Sequence, residues 1–271
     1  MAKLIVPKLG SVQETMLVSL FARATEQILP TPIVLDPDAV RIMNRIDYDF
    51  KSMKKFPNVL VACCVRASVF DGWILSFLAN ESDTVVVELG VGLDTTFERN
   101  DDGKTLWYEL DMLDAIELRS QFVSETDRRR LIAGSVLDPG WVALVKESGR
   151  SKFLFQLAGV LTYFDEQQVR QIFRLIADEF PGAVVLFDAC GAWALKNSDK
   201  WQATVKANSA ECRWGISKPK RLAKWDPRLQ VRDTKYVLQM NEDRWDEQAR
   251  FWARWWPPVT QCFSLNRMKI A

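Results

Sequence analysis

The sequence contains no histidine, and this absence excludes several classes of enzyme. Without an imidazole there is no Ser-His or Cys-His nucleophile pair, no HExxH metal site and no histidine general base. Most hydrolase mechanisms are therefore ruled out, and we expect no bound metal. Cysteine is also scarce, and the five residues form an odd set without a CxxC pair. This pattern predicts reduced thiols in a cytoplasmic protein.

An excess of charge of one sign and long apolar runs are missing as well. The chain has 36 basic and 35 acidic residues, so it has no global field to hold a polyanion, and we expect no nucleic-acid partner. In the first third of the chain, the longest apolar stretch is Val59 to Val65, which ends at Arg66. It is far shorter than the ~20 residues that a bilayer requires. We therefore expect no membrane partner.

What the sequence does contain is enough apolar material for one core. The 271 residues are 48% hydrophobic, and single cores stop growing near roughly 250 to 300 residues. We predict one domain over residues 1–271. Residues 1–80 are predicted to form a helical cap, with one helix over Ser11 to Leu29, begun by a Ser11–Glu14 capping box, and a second over about Asn58 to Leu78.

Residues 81–190 have the pattern of a sheet alternating with helices. Five short apolar runs in this part of the chain are typical of strands. A helix with an Asp165–Gln168 capping box separates the last two of them. Strands that alternate with helices predict an α/β fold with a doubly wound, mostly parallel sheet. The predicted strands are Thr84 to Gly90, Thr105 to Leu110, Leu131 to Ser135, Phe153 to Leu157 and Ala183 to Ala189.

The last third of the chain is rich in tryptophan. Eight of the eleven tryptophans fall between Trp193 and Trp256. Residues 191–260 are therefore either a lid that offers flat apolar surface to a substrate or ordinary packing on the sheet. We expect mixed use, with a few tryptophans in a pocket and most in the core. Residues 261–271 alternate in polarity, and we predict a final strand from Cys262 to Ile270, antiparallel to its neighbour.

The first predicted strand leads into a glycine turn that is typical of a ligand site. Gly90 and Gly92 let the backbone approach a ligand closely, and a helix with a Thr95–Glu98 capping box is predicted to follow. A dinucleotide fingerprint has a third glycine where this chain has Thr95, and no phosphate-binding GxxxxGK[ST] loop is present here. NAD and ATP are thus disfavoured. A tight turn without any ligand is the alternative.

The second predicted strand ends in Asp111, where a carboxylate can bind a ribose diol. Glu109 shares its face of the strand but lies one step deeper. We expect it to tune the loop structure or to stay a solvated edge charge. Asp111 is therefore the better candidate for a ribose ligand.

The order of motifs along nearly the whole chain resembles the leucine carboxyl methyltransferases and their bacterial relatives, the tetracenomycin-pathway type of polyketide O-methyltransferases. Taken together, this order is highly specific. The matching segments are Gln13 to Thr15, Ala22 to Ala24, Ile46 to Phe50, Val65 to Ala67, Glu88 to Thr95, Trp107 to Asp111, Ala133 to Asp138 with Trp141, and Gly159 to Phe164.

This resemblance implies a class I methyltransferase with a Rossmann-like sheet and S-adenosylmethionine as its cofactor. Arg66 is expected to hold the cofactor carboxylate, although a local ion pair with Asp71 is the alternative. Asp111 is expected to hold the ribose hydroxyls. The other cofactor-binding residues implied are Gly90 and Gly92 beside the methionine portion, Ser135 and Val136 at the adenine, and Glu88, Asp94 and Ala158.

Two departures from the family pattern bear on the methyl acceptor. Ala158 stands where the protein-methylating branch has a glutamate, and Asp94 is followed by two threonines rather than by threonine and arginine. Both favour a small-molecule acceptor over a protein C-terminus. A protein C-terminal carboxyl methyltransferase is the first alternative, and a non-catalytic protein that binds the cofactor is the second.

Methyl transfer to oxygen is an in-line displacement that depends mainly on positioning and on the exclusion of water. A carboxylate is already ionised at pH 7, whereas a phenol with a pKa near 10 requires a base. The absence of histidine favours a carboxyl acceptor over a phenolic hydroxyl, in either case on a polyketide-like or aromatic metabolite. Tyr163 is expected either to orient the acceptor oxygen or to be a core tyrosine.

Overall fold

The computed structural model describes residues 4–197 and 211–271. Its centre is a seven-stranded sheet in the order β3-β2-β1-β4-β5-β7-β6. The strands are β1 (Thr84–Leu89), β2 (Leu106–Asp111), β3 (Arg129–Ala133), β4 (Lys152–Leu157), β5 (Val184–Cys190), β6 (Leu229–Tyr236) and β7 (Phe263–Ile270). The α-helices are α1 (Met16–Glu26), α2 (Pro37–Met43), α3 (Pro57–Asn80), α4 (Thr96–Asn100), α5 (Leu113–Arg119), α6 (Gly140–Lys146), α7 (Glu166–Glu179), α8 (Ala192–Lys196), α9 (Glu247–Trp255) and α10 (Pro257–Thr260).

Strands β1 to β5 pair in parallel, and β7 pairs antiparallel with both β5 and β6. The predicted mostly parallel α/β fold with an antiparallel C-terminal strand is therefore confirmed. The strand order reverses between β1 and β4, and open α/β sheets bind ligands at such a switch point, at the carboxyl ends of the strands. The β6 strand was not predicted from the sequence.

Both faces of the sheet are covered, as a doubly wound fold requires. On one face, α6 and α7 contribute Trp141, Phe173 and Phe180 to a core cluster with the buried residues of β1, β4 and β5. On the other face, α3 packs with Trp245 and the inward residues of β7. The Asp165–Gln168 capping box predicted for α7 is present in full.

The described part of residues 1–80 contains α1, α2 and α3, and the first of these helices is shorter than predicted. A 3-10 turn covers Gln13–Thr15, and α1 follows without a side-chain cap, so the Ser11–Glu14 capping box does not form. Glu14 instead accepts a hydrogen bond from the Tyr48 hydroxyl at 2.7 Å. A tertiary contact thus replaces the local cap that the sequence indicated.

Helix α3 has the length and composition of a membrane-spanning helix, but the core helix of a soluble protein has the same properties. Its two charged residues are both ion-paired with other elements of the fold: Arg66 with Asp188 of β5, and Asp71 with Arg99 of α4. One face is buried in the core beside the sheet. We therefore describe α3 as a core helix, and the alternative pairing of Arg66 with Asp71 is wrong.

Candidate active site

A cavity of about 580 Å³ opens at the carboxyl ends of the parallel strands. The loops after β1, β2, β3 and β4 and the end of β5 form one side, and α1, α3 and the segment 237–249 form the other. This size falls within the range of small-molecule sites. The residues predicted from the sequence that line it are Arg66, Gly90, Gly92, Asp94, Asp111, Ser135, Val136, Ala158 and Tyr163.

The glycine loop after β1 has the backbone conformation that requires glycine. Gly90 and Gly92 have φ angles of +77° and +52°, where side chains are strained. A Cβ atom on Gly90 would also lie 2.5 Å from the Val160 side chain, and one on Gly92 would lie 2.9 Å from Met16. The loop is therefore packed between α1 and the turn after β4, with its backbone along the cavity.

Asp111 anchors this loop from the end of β2. Its Oδ2 atom accepts a hydrogen bond from the Gly92 amide at 2.7 Å, and its Oδ1 atom accepts one from the Met112 amide at 2.7 Å. Burial raises the pKa of the Asp111 carboxyl above its usual value, while the two amides oppose this effect. Each carboxylate oxygen has a second lone pair, so the group can still accept hydrogen bonds from a ligand.

A buried ion-pair network fastens the helical cap to the glycine loop. Arg23 pairs with Asp36 at 2.8 Å and donates to the Leu93 carbonyl at 2.9 Å, and Arg99 lies 3.2 Å from Asp94. Burial opposes the ionisation of Asp94, but the nearby guanidinium groups of Arg23 and Arg99 outweigh it and hold its pKa well below the usual range. Asp94 therefore lines the cavity as a carboxylate.

The predicted Thr95–Glu98 capping box does not form. Thr95 has no side-chain cap to α4, and its hydroxyl instead donates to Asp36 in the same network. Glu98 accepts a hydrogen bond from Arg129 at 2.6 Å. Both side chains are thus used to join separate elements rather than to begin the helix.

The two glutamates of β1 and β2 lie beneath the loop rather than on the cavity wall. Glu109 is buried and pairs with Arg119 at 2.6 Å, so the prediction of a solvated edge charge is wrong. Glu88 is also buried and borders a separate small void beside Gln156, whose amide lies 3.4 Å away. Burial and the charge of Glu109 raise the pKa of Glu88 well above its usual value. Contrary to the sequence prediction, Glu88 is therefore not among the residues that face the main cavity.

Arg66 faces the cavity near the turn after β4. Its Nη1 atom lies 2.9 Å from Asp188 Oδ2, and its Nη2 atom lies 3.3 Å from the Ser19 hydroxyl. Burial opposes its charge, but Asp188 outweighs this and raises the pKa of the guanidinium, so Arg66 is a permanent cation. Asp188 was missed from the sequence, although it sits at the carboxyl end of a strand as Asp111 does.

Ser135 and Val136 follow β3 and border the same cavity. The Ser135 hydroxyl accepts a hydrogen bond from the Leu137 amide at 3.2 Å, and Val136 is buried in the core below. Gly134, just before them, also lines the cavity, and a Cβ atom on it would meet nothing within 4 Å. The chain therefore leaves open space at Gly134 that a side chain would fill.

Tyr163 lies in a 3-10 turn after β4 (Leu161–Tyr163) and borders the cavity. Burial raises the pKa of its hydroxyl to about 12, against an opposing hydrogen bond with Thr15. The phenol is therefore protonated at neutral pH and is a hydrogen-bond donor, not a base.

The far side of the cavity is apolar. Its lining includes Met53, Phe56, Val59, Val237, Leu238 and Trp245. Of the tryptophans in the segment rich in them, Trp245 lines the cavity and Trp214 is buried in the core, whereas Trp252, Trp255 and Trp256 are exposed. The expectation that most of them are core residues is thus wrong for these three. Trp201 lies outside the described residues.

Comparison with known proteins shows the family to which the chain belongs. The profile of the leucine carboxyl methyltransferase family matches residues 16–177. The chain is 33% identical over 227 residues to the tetracenomycin polyketide synthesis O-methyltransferase TcmP of Streptomyces glaucescens, with 83% of each protein covered. It is 27% identical over 253 residues to the S-adenosyl-L-methionine-dependent methyltransferase dpfgK of Gibberella zeae, covering 85% of this chain and 84% of that one.

Solved structures resemble the chain at the level of the fold. A putative methyltransferase from Thermobifida fusca YX superposes with a TM-score of 0.60 at 15% identity, covering 92% of this chain and 94% of that one. The predicted family, fold and cofactor are therefore confirmed. The chain belongs to the leucine carboxyl methyltransferase family, and its activity is S-adenosylmethionine-dependent O-methyl transfer.

Proposed function

We propose that the cavity holds S-adenosylmethionine against the strand ends and an aromatic small molecule against the apolar side, so that an acceptor oxygen of that molecule is methylated. The observation that carries this proposal is that Asp111, Arg66 and the apolar wall around Trp245 border one continuous cavity. Within residues 1–80 and 191–260, the described parts (4–80, 191–197 and 211–260) serve as its cover, and residues 81–190 serve as the cofactor core of a single domain; residues 198–210 of the predicted lid lie outside the described residues. The free cysteines fit a cytoplasmic location.

The residues around the glycine loop fit this cofactor. Asp111 is assigned to the two ribose hydroxyls, because its oxygens have spare lone pairs. Arg66 is assigned to the cofactor carboxylate as the permanent cation on that wall. Ser135 and Val136 are assigned to the adenine, and the open space at Gly134 leaves room for its ring.

Gly90, Gly92, Asp94 and Ala158 complete the assigned cofactor site, since they line the cavity between Arg66 and Asp111. Glu88 is given a different role from the one expected. It supports the loop from beneath, because it does not face the main cavity.

When bound, S-adenosylmethionine supplies a methyl group on a sulfonium sulfur. An oxygen nucleophile attacks the methyl carbon, and the sulfur is the leaving group. The chain contributes position, orientation and a dry surface. The apolar wall of Phe56, Leu238 and Trp245 removes water from the acceptor, and Tyr163 orients the acceptor oxygen by donating a hydrogen bond.

The acceptor oxygen is best supplied by a carboxylate. Tyr163 holds its proton at neutral pH and Arg66 is a permanent cation, so neither is a general base. A carboxylate is ionised without one. A phenolic acceptor is the second candidate, and it requires a proton acceptor; the Asp94 carboxylate on the cavity wall is a weak one, because nearby guanidinium groups hold its pKa well below the usual range.

This proposal is tested by incubating the protein with S-adenosylmethionine and matched pairs of aromatic carboxylates and phenols, and by detecting methylated products with mass spectrometry. We expect methyl esters from the carboxylates, with a rate that is nearly independent of pH between 6 and 8. Product formed only from phenols, with a rate that rises with pH, would overturn the carboxylate assignment.

The apolar wall is tested separately with two tryptophan variants. Trp245→Phe is expected to raise KM for an active aromatic acceptor, because the indole is 4% exposed and borders the cavity. Trp252→Phe is the matched control, since its indole is 44% exposed and does not line the cavity. Equal effects of the two variants on KM would show that the acceptor lies elsewhere.

A further inference from the structure

Asp188 joins two parts of the cavity wall that come from distant segments of the chain. Its Oδ2 atom pairs with Arg66 of α3 at 2.9 Å, and its Oδ1 atom accepts a hydrogen bond from the Gly159 amide at 2.7 Å. The side chain is 4% exposed. Each oxygen of the carboxylate therefore has its own donor, and the charge of the group is directed at Arg66.

Gly159 brings the turn after β4 unusually close to the guanidinium. Its φ angle is +73°, and a Cβ atom there would lie 2.7 Å from Arg66 Nη1. On its other side, Arg66 donates to Ser19 of α1 at 3.3 Å. The guanidinium is thus held by α1, by the turn after β4 and by β5 through Asp188.

Such restraint matters because a free arginine side chain has several rotatable bonds. Ordering it when a ligand binds costs side-chain conformational entropy. An arginine that is already fixed in its binding orientation avoids this cost, which is the general advantage of preorganisation. Asp188 supplies that restraint, and both of its own oxygens are occupied by donors from the protein.

We infer that Asp188 is a positioning residue, which fixes the Arg66 guanidinium and the Gly159 turn in the orientation that receives the carboxylate of the cofactor. This inference rests on the proposed assignment of Arg66 to that carboxylate. Asp188, near the end of β5, acts through Arg66 and makes no contact of its own with the reacting atoms.

The test compares two ligands by isothermal titration. S-adenosylhomocysteine has the amino-acid carboxylate, whereas 5′-methylthioadenosine lacks it and has the same adenosine. Asp188→Asn removes the charge and replaces one of the two acceptor oxygens with an NH2 donor, so either Arg66 or the Gly159 amide loses its acceptor. We expect Asp188→Asn to weaken S-adenosylhomocysteine binding about tenfold or more and to leave methylthioadenosine binding nearly unchanged.

Two further variants and a turnover assay complete the design. Asp188→Glu keeps the charge and is expected to retain more affinity than Asp188→Asn. Asp178→Asn is the matched control, because Asp178 lies exposed on α7, pairs with Arg228 and does not line the cavity. In turnover with S-adenosylmethionine, Asp188→Asn is expected to raise the cofactor KM more than it lowers kcat.

Equal weakening of both ligands would show a merely structural role, and tighter binding of S-adenosylhomocysteine would show that Asp188 repels the carboxylate. Either result overturns the inference.

Arg66→Ala distinguishes a failure of this inference from a failure of the proposed function. If Arg66→Ala leaves S-adenosylhomocysteine binding intact, the assignment of Arg66 itself is wrong. If Arg66→Ala weakens binding and Asp188→Asn does not, only the positioning role is wrong.

Discussion

Arg119 supports the glycine loop from beneath, and its removal is expected to destabilise the whole protein. The guanidinium is fully buried, pairs with Glu109 at 2.6 Å and donates to the carbonyls of Gly92 and Asp94 at 3.0 and 2.7 Å. Arg119→Leu leaves the buried Glu109 carboxylate with Arg129 alone, whose Nη2 atom is 2.8 Å away but lacks hydrogen-bond geometry. Two loop carbonyls also lose their donor.

Breaking a buried ion pair by removing one partner costs about 3 to 5 kcal/mol. For a chain of this size, each kcal/mol lowers Tm by roughly 2 to 4 °C, so we expect Arg119→Leu to lower Tm by about 6 to 20 °C. Thermal denaturation at neutral pH measures this directly. Arg174→Ala, which breaks an exposed pair with Asp178, is the control and is expected to change Tm little.

A second variant tests the cause of the loss. Glu109→Gln combined with Arg119→Leu removes the stranded charge, so the double variant is expected to be more stable than Arg119→Leu alone. A Tm for Arg119→Leu within about 2 °C of the wild type would refute the reasoning. So would a double variant whose losses simply add.

Three further outcomes follow from individual residues. Gly72→Ala is expected to stabilise the protein by about 0.5 to 1 kcal/mol in chemical denaturation, because Gly72 lies in the exposed middle of α3 with room for a methyl group. Glu88→Gln is expected to raise Tm at pH 8 but not at pH 4. Because the pKa of Glu88 is raised in the folded protein, its contribution to folding stability is greatest below its unfolded pKa and declines as the pH rises. Glutamine does not ionise, so the variant lacks that decline. Gly134→Ala is expected to leave Tm unchanged but to weaken S-adenosylhomocysteine binding in titrations, since its Cβ enters open cavity space.

The sequence predicted β1, β4 and β5 well because each is a short, largely apolar run that is mostly buried. Strand β3 begins two residues earlier than predicted, because this edge strand starts with two arginines. The sequence did not predict β6, which is an edge strand with an irregular register between Val231 and Asp233 and a largely polar sequence. Neither an alternation nor a continuous apolar run marks such a strand. The capping boxes predicted at Ser11 and Thr95 do not form, because distant residues hydrogen-bond to the same side chains.

The sequence predicted which residues line the cavity where a position at a strand end decides this. Asp111 follows from that rule, and Asp188 satisfies it equally but was overlooked because nothing in β5 alone points to Arg66. For Glu88 and Glu109, position on a strand does not decide the surroundings of the side chain. Their place on the strands is predicted correctly, but only the fold brings Arg119 and Arg129 beneath the loop to pair with Glu109 and buries Glu88 beside Gln156.

The central claim is that Asp111 and Arg66 hold one cofactor in one cavity, and calorimetric titration with S-adenosylhomocysteine tests it most directly. We expect micromolar binding by the wild type, and binding weakened at least tenfold in both Asp111→Ala and Arg66→Ala, with Asp178→Asn unchanged. Wild-type affinity retained in Asp111→Ala would contradict the account, because it would place the ribose away from the end of β2.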